Sequence, residues 1–260
     1  VYKRQLEYFT DSALDVHPND WEPPCPDFAN NQPRQAFHAD AFSAMNEPGE
    51  HAIVYPTWTN PPAQIERGYE AVIFHSNGVG GPAMEELAEM GQFVGAIDFT
   101  TNEIYDPMVG GIHDGGPQRL KRIGELGLPQ IVVPGCIDFS VWNVGTVPAE
   151  LSERPVYDHN PEYTLVRASH EEMVRLGEVM AERLNLAKAP LIIAVPIEGL
   201  SIPNVPDGPF WDPPADAAFL ESLRGNIRAD IPVVTYERHV NDPQFGREVA
   251  ELFIELVDSG

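Results

Sequence analysis

The chain has 260 residues, of which 43% are hydrophobic, and a formal net charge of -24 from 40 acidic and 16 basic residues. It contains no run of about 18 apolar residues and no signal-like opening, so we expect a cytoplasmic protein without a membrane partner. A field this negative repels phosphate backbones, which excludes nucleic acid as an expected partner. The two cysteines, Cys25 and Cys136, lack the number and spacing of a disulfide framework or a zinc site, which fits a reducing compartment.

Lysine is scarce, since Lys3, Lys121 and Lys188 are the only examples. Abundant Asp and Glu with few lysines is typical of proteins adapted to high salt, where screening shrinks the self-repulsion of the chain. The alternative is an ordinary acidic cytosolic protein. Unfolding on transfer to low salt would separate the two interpretations.

Residues 1–64 are rich in Pro, Asn, Asp and isolated aromatic residues and show almost no sustained period. The opening letters VYKRQ resemble read-through from a sequencing adaptor. We therefore expect an irregular or partly disordered segment that is truncated or non-native, with residues 1–50 poorly ordered. Its only strand-like piece is AIVY at residues 52–55.

From Gly68 onward, short apolar runs alternate with amphipathic segments, which is the pattern of repeated βα units. Capping residues mark the starts of the later helices, and a long connection over 135–168 is predicted to be functional or a covering excursion. The pattern predicts one Rossmann-like α/β domain over 65–260, with a doubly wound, mostly parallel sheet of about five strands. The predicted strands are 70–74, 93–97, 130–133, 191–195 and 231–236, and the predicted helices are 82–90, 117–126 and those starting at Ser169, Asp212 and Asp242.

Polar motifs follow each predicted strand. Ligands of an open parallel sheet bind beyond the carboxyl ends of the strands, because loops and helix N-termini converge there. We therefore expect these motifs to meet at one rim of the sheet. In chain order they are HSNGVGG (75–81), DFTTNE (98–103), PGCID (134–138), PIEGLS (196–201) and ERHVND (237–242).

The glycine-rich turn is the most informative motif, because glycines between a strand and a helix let backbone N–H groups approach an anion. GVGG is neither the dinucleotide fingerprint nor a P-loop, and a tight turn that only relieves backbone strain is the alternative. We expect a small phosphorylated ligand here. The candidate ligand-binding residues are His75, Ser76, Asn77, Gly78, Gly80, Gly81, Thr100, Thr101 and His159.

Acid–base chemistry has four candidates at the same rim: Asp98, Glu103, Asp138 and His239. Carboxylates and imidazoles of this kind transfer protons, and hard oxygens also gather divalent ions, although no metal site is predicted. Each carboxylate has a solvated or capping role as its alternative. Cys136 is expected to be a buried thiol. HDGG at 113–116 is expected to be a loop or a helix N-cap, with ligand contact as its less favoured alternative.

Six motifs follow one another along the chain: HSNGVGGPAMEEL, DFTTNE, PGCIDF, YDHNPEYTLVR, GPFWDPPAD and HVNDPQF. Together they resemble the Tm-one-like ATP-binding protein family, which is named for a plant tobamovirus-resistance protein. The resemblance covers residues 65–260 and corresponds to the second, C-terminal Rossmann-like domain of that family. It implies that ATP or another nucleotide is the ligand. It also implies that an N-terminal domain is a partner.

Two classes of function stay open at this point. The first is a domain that binds, or acts on, a nucleotide or phosphorylated small molecule at the strand ends. The second is a non-catalytic interaction or regulatory domain whose rim contacts an N-terminal domain or another protein. A homo-oligomer is also compatible with the sequence, because a sheet with an open edge favours association.

Overall fold

The computed structural model describes residues 51–54 and 69–258 of the chain. Nine strands lie in these ranges: β1 His51–Val54, β2 Glu70–Ile73, β3 Gly95–Thr100, β4 Gln130–Gly135, β5 Phe139–Asn143, β6 Val156–Asp158, β7 Tyr163–Arg167, β8 Leu191–Pro196 and β9 Val233–Tyr236. Six α-helices lie there: α1 Gly80–Glu89, α2 Asp106–Val109, α3 Arg122–Leu126, α4 His170–Leu184, α5 Pro213–Asn226 and α6 Pro243–Asp258. None of these helices is long and apolar enough to cross a membrane.

The main sheet has six strands in the order β2-β1-β3-β4-β8-β9, and all neighbours are parallel. The predicted α/β class with a parallel sheet is confirmed. The sixth strand is β1, the strand-like piece that the sequence placed in its irregular segment. It lies between β2 and β3, so the strand order reverses at β1, which makes its carboxyl end the topological switch point of the sheet. The remaining predictions for residues 1–50 lie outside the described residues.

Alternation along β3 explains why helices cover both faces of the sheet. Ala96 packs with Met84 of α1 and Ile123 of α3, while Ile97 and its neighbour Phe99 belong to the opposite cluster, which α6 covers. Helices α4 and α5 complete the first face with a larger apolar cluster. Burying both faces is what near-continuously apolar parallel strands require.

The predicted helix starts at Ser169 and Asp212 are confirmed by their caps. The hydroxyl of Ser169 accepts a hydrogen bond from the N–H of Glu172, and the Glu172 side chain accepts one from the N–H of Ser169, which is a complete capping box. Asp212 caps α5 by accepting from the N–H of Ala215 at 3.1 Å. Each cap satisfies backbone donors that the first helical turn leaves without a partner.

The connection over 135–168 contains a second, antiparallel sheet in the order β5-β7-β6, which the sequence analysis did not predict as strands. Strand β6 has only three residues. Strand β7 ends in Arg167, a charged residue that is only 3% exposed because Asp216 pairs with it. Short length and a buried charge obscure the alternation by which strands are recognised.

Helix α3 begins at Arg122, five residues later than the predicted start at Pro117. Residues 117–121 instead form turns, with Leu120 at a positive φ of 68°. This irregular path turns Arg119 into the interior of the domain, where its side chain is fully buried.

Candidate functional site

A buried arginine lies beneath the rim of the sheet and holds three carboxylates. The Arg119 guanidinium forms two hydrogen bonds with Asp98, and its Nε donates to Oε2 of Glu103 at 2.6 Å. Glu85 lies 3.4 Å from the same guanidinium. Asp98 therefore lies inside β3 as an ion-pair partner, and not beyond its end as the sequence analysis placed it. Two of the four predicted acid–base candidates, Asp98 and Glu103, belong to this buried cluster.

Three carboxylates around one guanidinium leave excess negative charge in a dry environment. Burial raises the pKa of Glu85 to about 7, with Arg119 opposing the rise and Asp98 adding to it. The carboxylates raise the pKa of Arg119 well above its ordinary value although burial acts to lower it. Arg119 is therefore charged throughout, and Glu85 takes up a proton near neutral pH.

The glycine-rich turn closes onto Glu103. Its Oε1 accepts hydrogen bonds from the N–H groups of Gly78 at 2.7 Å and Gly81 at 3.4 Å. A Cβ on Gly81 would collide with the Glu103 carboxylate and the Arg119 guanidinium. Glycine is therefore needed here so that the backbone can approach an internal carboxylate.

The other two N–H groups of the turn are also engaged. Oδ1 of Asn77 accepts from Val79 at 3.2 Å and from Gly80 at 3.3 Å. The donors that the sequence analysis assigned to a phosphate thus meet oxygen atoms of the chain itself. An external phosphate would have to displace Glu103 or Asn77 before it could use them.

A hydrogen-bonded chain crosses the carboxyl end of β1. Ser76, which follows β2, donates from its hydroxyl to Oδ1 of Asn102, which follows β3, at 2.7 Å. Nδ2 of Asn102 lies 3.2 Å from Nδ1 of His113. Because β1 lies between β2 and β3, this chain spans the topological switch point.

Three histidines lie beside this series of hydrogen bonds: His75, His113 and His159, here called the histidine group. Burial lowers the pKa of His113 to about 4, and charge at His75 and His159 lowers it further. Burial also lowers the pKa of His159. These two imidazoles are therefore neutral at physiological pH and act as hydrogen-bonding groups without charge.

The three histidines come from distant parts of the chain. His75 follows β2, His113 follows α2, and His159 follows β6 of the antiparallel sheet. The ring of His113 also packs edge-on against Tyr163, with centroids 5.8 Å apart. The connection that the sequence left irregular thus brings one member of the histidine group to the rim.

Asp106 fixes the backbone next to the histidine group. Its carboxylate accepts from the N–H of His113 at 2.6 Å and from the N–H of Val141 at 3.0 Å. Gly111 packs against the same carboxylate, where a side chain would not fit. Burial raises the pKa of Asp106 to about 7.

A second polar cluster lies beyond β4 and β8, around the predicted candidate Asp138. Oδ2 of Asp138 accepts from the Ser201 hydroxyl at 2.8 Å and from Nδ2 of Asn204 at 3.1 Å. Arg167 lies 3.9 Å from Asp138 and pairs with Asp216. Burial raises the pKa of Asp138, and it raises that of Asp216 to about 6.

The two remaining candidates at this end of the rim have structural contacts. His239 lies 2.9 Å from the carbonyl oxygen of Ser201 through Nε2, and its Nδ1 accepts from the N–H of Asn241. Cys136 adopts a positive φ of 58°, and burial raises the pKa of its thiol. A protonated thiol is a poor nucleophile, as the sequence analysis expected of Cys136.

Thr100 and Thr101, the last ligand-binding candidates, are buried at the end of β3. The carbonyl oxygen of Thr100 lies 3.3 Å from the Ser76 hydroxyl. The hydroxyl of Thr101 has no hydrogen-bond partner within the ranges that the structure describes. Both therefore lie next to the Ser76–Asn102 contact.

Two shallow clefts open on the described surface, and their charges differ. The first, of about 230 Å³, lies against the glycine-rich turn, and its charged lining is Glu85, Glu86, Asp114 and Arg122. The second, of about 320 Å³, has Trp211 in its lining, and its charged lining is balanced between Arg154 and Arg167 on one side and Glu153 and Asp212 on the other. Arg154 is paired with Glu172 there. Three carboxylates face one arginine in the first cleft, so its lining disfavours a phosphate.

Within the described ranges, no group of three or more His, Cys, Asp or Glu side chains has an arrangement that could hold a metal ion. Sequence reasoning missed four residues that organise the rim: Asn102, Asp106, His113 and Arg119. His113 was visible only as part of a glycine-containing loop. The signal for Arg119 was a basic residue three positions after Gly116 in a chain with few basic residues.

The six parallel strands, their reversal at β1 and the polar rim define a doubly wound, Rossmann-like domain. Residues 62–257 match the family described as Uncharacterised protein family (UPF0261) C-terminal domain. The chain belongs to this family.

Curated relatives agree with the family match. A UPF0261 protein of Clostridium tetani is 35% identical over 193 residues, which are 74% of this chain and 48% of that protein. A UPF0261 protein of Rhizobium meliloti is 32% identical over 236 residues, 85% of this chain and 59% of the relative. The ToMV resistance protein Tm-1(GCR237) of Solanum lycopersicum is 32% identical over 199 residues, 74% of this chain and 26% of that protein.

The resemblance found in the sequence motifs is therefore confirmed. The chain spans about half the length of the bacterial relatives named above.

Proposed function

We propose that this domain binds a small phosphorylated molecule, such as a nucleotide, at the switch point between β1 and β3, against the histidine group. The observation that carries the proposal is the hydrogen-bonded chain from Ser76 through Asn102 to His113, which crosses the end of β1. Open α/β sheets bind their ligands at this position. The family description names no ligand, so the ligand class rests on the sequence resemblance and on the chemistry of the rim.

The geometry changes how a phosphate would be held. The N–H groups of the glycine-rich turn are engaged by Glu103 and Asn77, so they are not the first contacts of a ligand. The imidazole of His113 takes that role, while the Ser76 hydroxyl donates its proton to Asn102. Neutral hydrogen-bond donors suit a phosphate oxygen without the cost of burying another ion pair.

Thermal unfolding in high salt with ATP, ADP, a sugar phosphate and inorganic phosphate tests the proposal. A ligand at about 100 times its dissociation constant stabilises the native state by roughly 2.7 kcal/mol. We expect a saturable rise in Tm with at least one phosphorylated compound. The rise should be lost in His113→Phe and kept in His170→Phe, a matched substitution at an exposed histidine that starts α4.

Two results would contradict the proposal. The first is a Tm that no phosphorylated compound changes, which would favour the alternative of a non-catalytic domain that contacts an N-terminal partner. The second is a ligand effect that survives His113→Phe but is lost in Trp211→Ala, which would place the ligand in the second cleft.

A further inference from the structure

The two ring nitrogens of His113 have different surroundings. Nδ1 faces Nδ2 of Asn102 at 3.2 Å. Nε2 of His113 has no hydrogen-bond partner in the described part of the chain. The unpaired polar atoms that are fully buried there do not include Nε2, so this atom is not fully buried. Nε2 is therefore the nitrogen that reaches solvent at the rim.

The neighbouring hydroxyl determines which way the Asn102 amide points. Ser76 has one hydroxyl proton and two nearby acceptors, Oδ1 of Asn102 at 2.7 Å and the carbonyl oxygen of Thr100 at 3.3 Å. The shorter distance assigns the proton to Asn102. The NH₂ group of Asn102 then faces His113, and an NH₂ group can only donate.

Nδ1 of His113 must therefore accept, which requires that it carry no proton. An imidazolium is excluded by the same contact, because both of its nitrogens are donors. The ring is neutral, and its single proton lies on Nε2. The lowered pKa of His113 agrees with this state.

We propose that His113 contacts the ligand of the switch point as a neutral hydrogen-bond donor through Nε2–H, so that the ligand atom it meets is an acceptor such as a phosphoryl or carbonyl oxygen. This inference rests on the proposed function for the place of the ligand. A protonated Nε2 has no lone pair to offer, so a metal ion and an amine donor are both rejected at this nitrogen. The site thus selects the acceptor end of its ligand.

The loop that carries His113 is held in place on both sides. Asp106 accepts from the backbone N–H of His113, and Tyr163 packs against the ring. Asn102, which orients the ring, begins the short 3₁₀ helix Asn102–Ile104 and is itself buried. Ligand donors held by contacts of this kind lose little freedom on binding.

The tautomer can be read without any ligand, by long-range proton–nitrogen correlation NMR on ¹⁵N-labelled protein. Between about pH 5.5 and 7.5, we expect His113 to show one protonated and one bare nitrogen, with the proton on Nε2. A proton on Nδ1, or an imidazolium in this range, would overturn the inference.

Two substitutions test whether the chain of hydrogen bonds sets the tautomer. In Asn102→Asp, a carboxylate replaces the NH₂ donor, and we expect Nδ1 of His113 to become protonated. In Ser76→Ala, the amide of Asn102 is free to turn, and we expect a mixture of tautomers. An unchanged Nε2–H signature in both variants would show that Asn102 does not control the ring.

Ligand titrations separate this inference from the proposed function. We expect ATP to shift the Nε2–H proton of His113 downfield, and equimolar Zn²⁺ to leave it in place. Loss of this proton on adding Zn²⁺ would overturn the inference even if ATP binds. Absence of any binding by phosphorylated compounds with the Nε2–H tautomer intact would overturn the proposed function alone.

Discussion

Glu103 and Arg119 form a fully buried ion pair, with 2.6 Å between Oε2 and Nε, over which both glycine-rich loops of the domain close. Gly78 and Gly81 donate to the other oxygen of Glu103. Gly115, in the second loop, lies so close to the same ion pair that a side chain at this position would collide with it. The glycine pattern is therefore explained by close approach of the backbone to an internal ion pair.

Removing the guanidinium should be among the most destabilising single changes in this domain. Arg119→Met leaves the buried carboxylates of Asp98 and Glu103 without a cation, and we expect a loss of about 3–5 kcal/mol in the free energy of unfolding. Chemical denaturation in high salt measures it. Arg122→Met is the matched control, because its pair with Glu89 is 31% and 46% exposed, and it should cost less than about 1 kcal/mol. Equal costs in the two variants would show that the buried cluster does not stabilise the fold.

A methyl group at Gly81 tests the close packing of the turn. Gly81→Ala places a Cβ against Glu103 and Arg119, so we expect a loss of about 1–3 kcal/mol from overpacking. Gly225→Ala in α5 meets nothing within 4 Å and should instead stabilise by about 0.5–1 kcal/mol. Thermal and urea unfolding of the two variants give the comparison. Tolerance of alanine at Gly81 would mean that the turn does not rest on the ion pair.

The pH dependence of stability has a predicted sign at Glu85. Its pKa is raised from 4.5 to about 7 mainly by burial, so its favourable contribution is complete below 4.5 and is lost as pH rises through 7. Glu85→Gln keeps an acceptor for the N–H of Leu120 and cannot ionise. We expect the free energy of unfolding to fall less steeply from about pH 5 to 8 in this variant than in the wild type. The exposed Glu86→Gln should keep the wild-type slope, and a wild-type slope in Glu85→Gln would contradict the assignment.

Salt should stabilise the protein, because a chain with a net charge of -24 repels itself when its charges are not screened. We expect Tm to rise steadily with KCl concentration beyond the physiological range. Equal concentrations of KCl and NaCl should give similar curves if screening is the cause. A Tm that stays flat above about 0.15 M salt would favour an ordinary acidic protein over one adapted to high salt.

The strands of the parallel sheet and most helix starts were predictable because their signals are local. Apolar runs mark β4 and β8, and Ser169 and Glu172 carry a complete capping box within four residues. Arg119 was not predictable in the same way, since its partner Asp98 is 21 residues away in sequence and the pairing depends on tertiary structure. Burial of Arg119 among the carboxylates also overrides the helix propensity of its segment, which is why α3 begins at Arg122 and not at the predicted Pro117.

The residues at the rim of the sheet also divide into those with a local sequence signal and those without one. The sequence placed His75, Ser76 and His159 among the ligand-binding candidates from their positions near strands and turns. It gave His113 ligand contact only as the less favoured alternative to a loop or helix N-cap, because a histidine in a glycine-rich loop has no pattern of its own. The role of that residue follows from the contacts of its two nitrogens, which only the folded chain defines.

Chemical-shift mapping of the ¹⁵N-labelled protein with ATP in high salt locates the proposed ligand site. We expect saturable changes that are largest at Ser76, Asn102, His113 and His159, around the carboxyl end of β1. Saturable changes confined to the cleft lined by Arg154 and Trp211, or no saturable change with any phosphorylated compound, would contradict it.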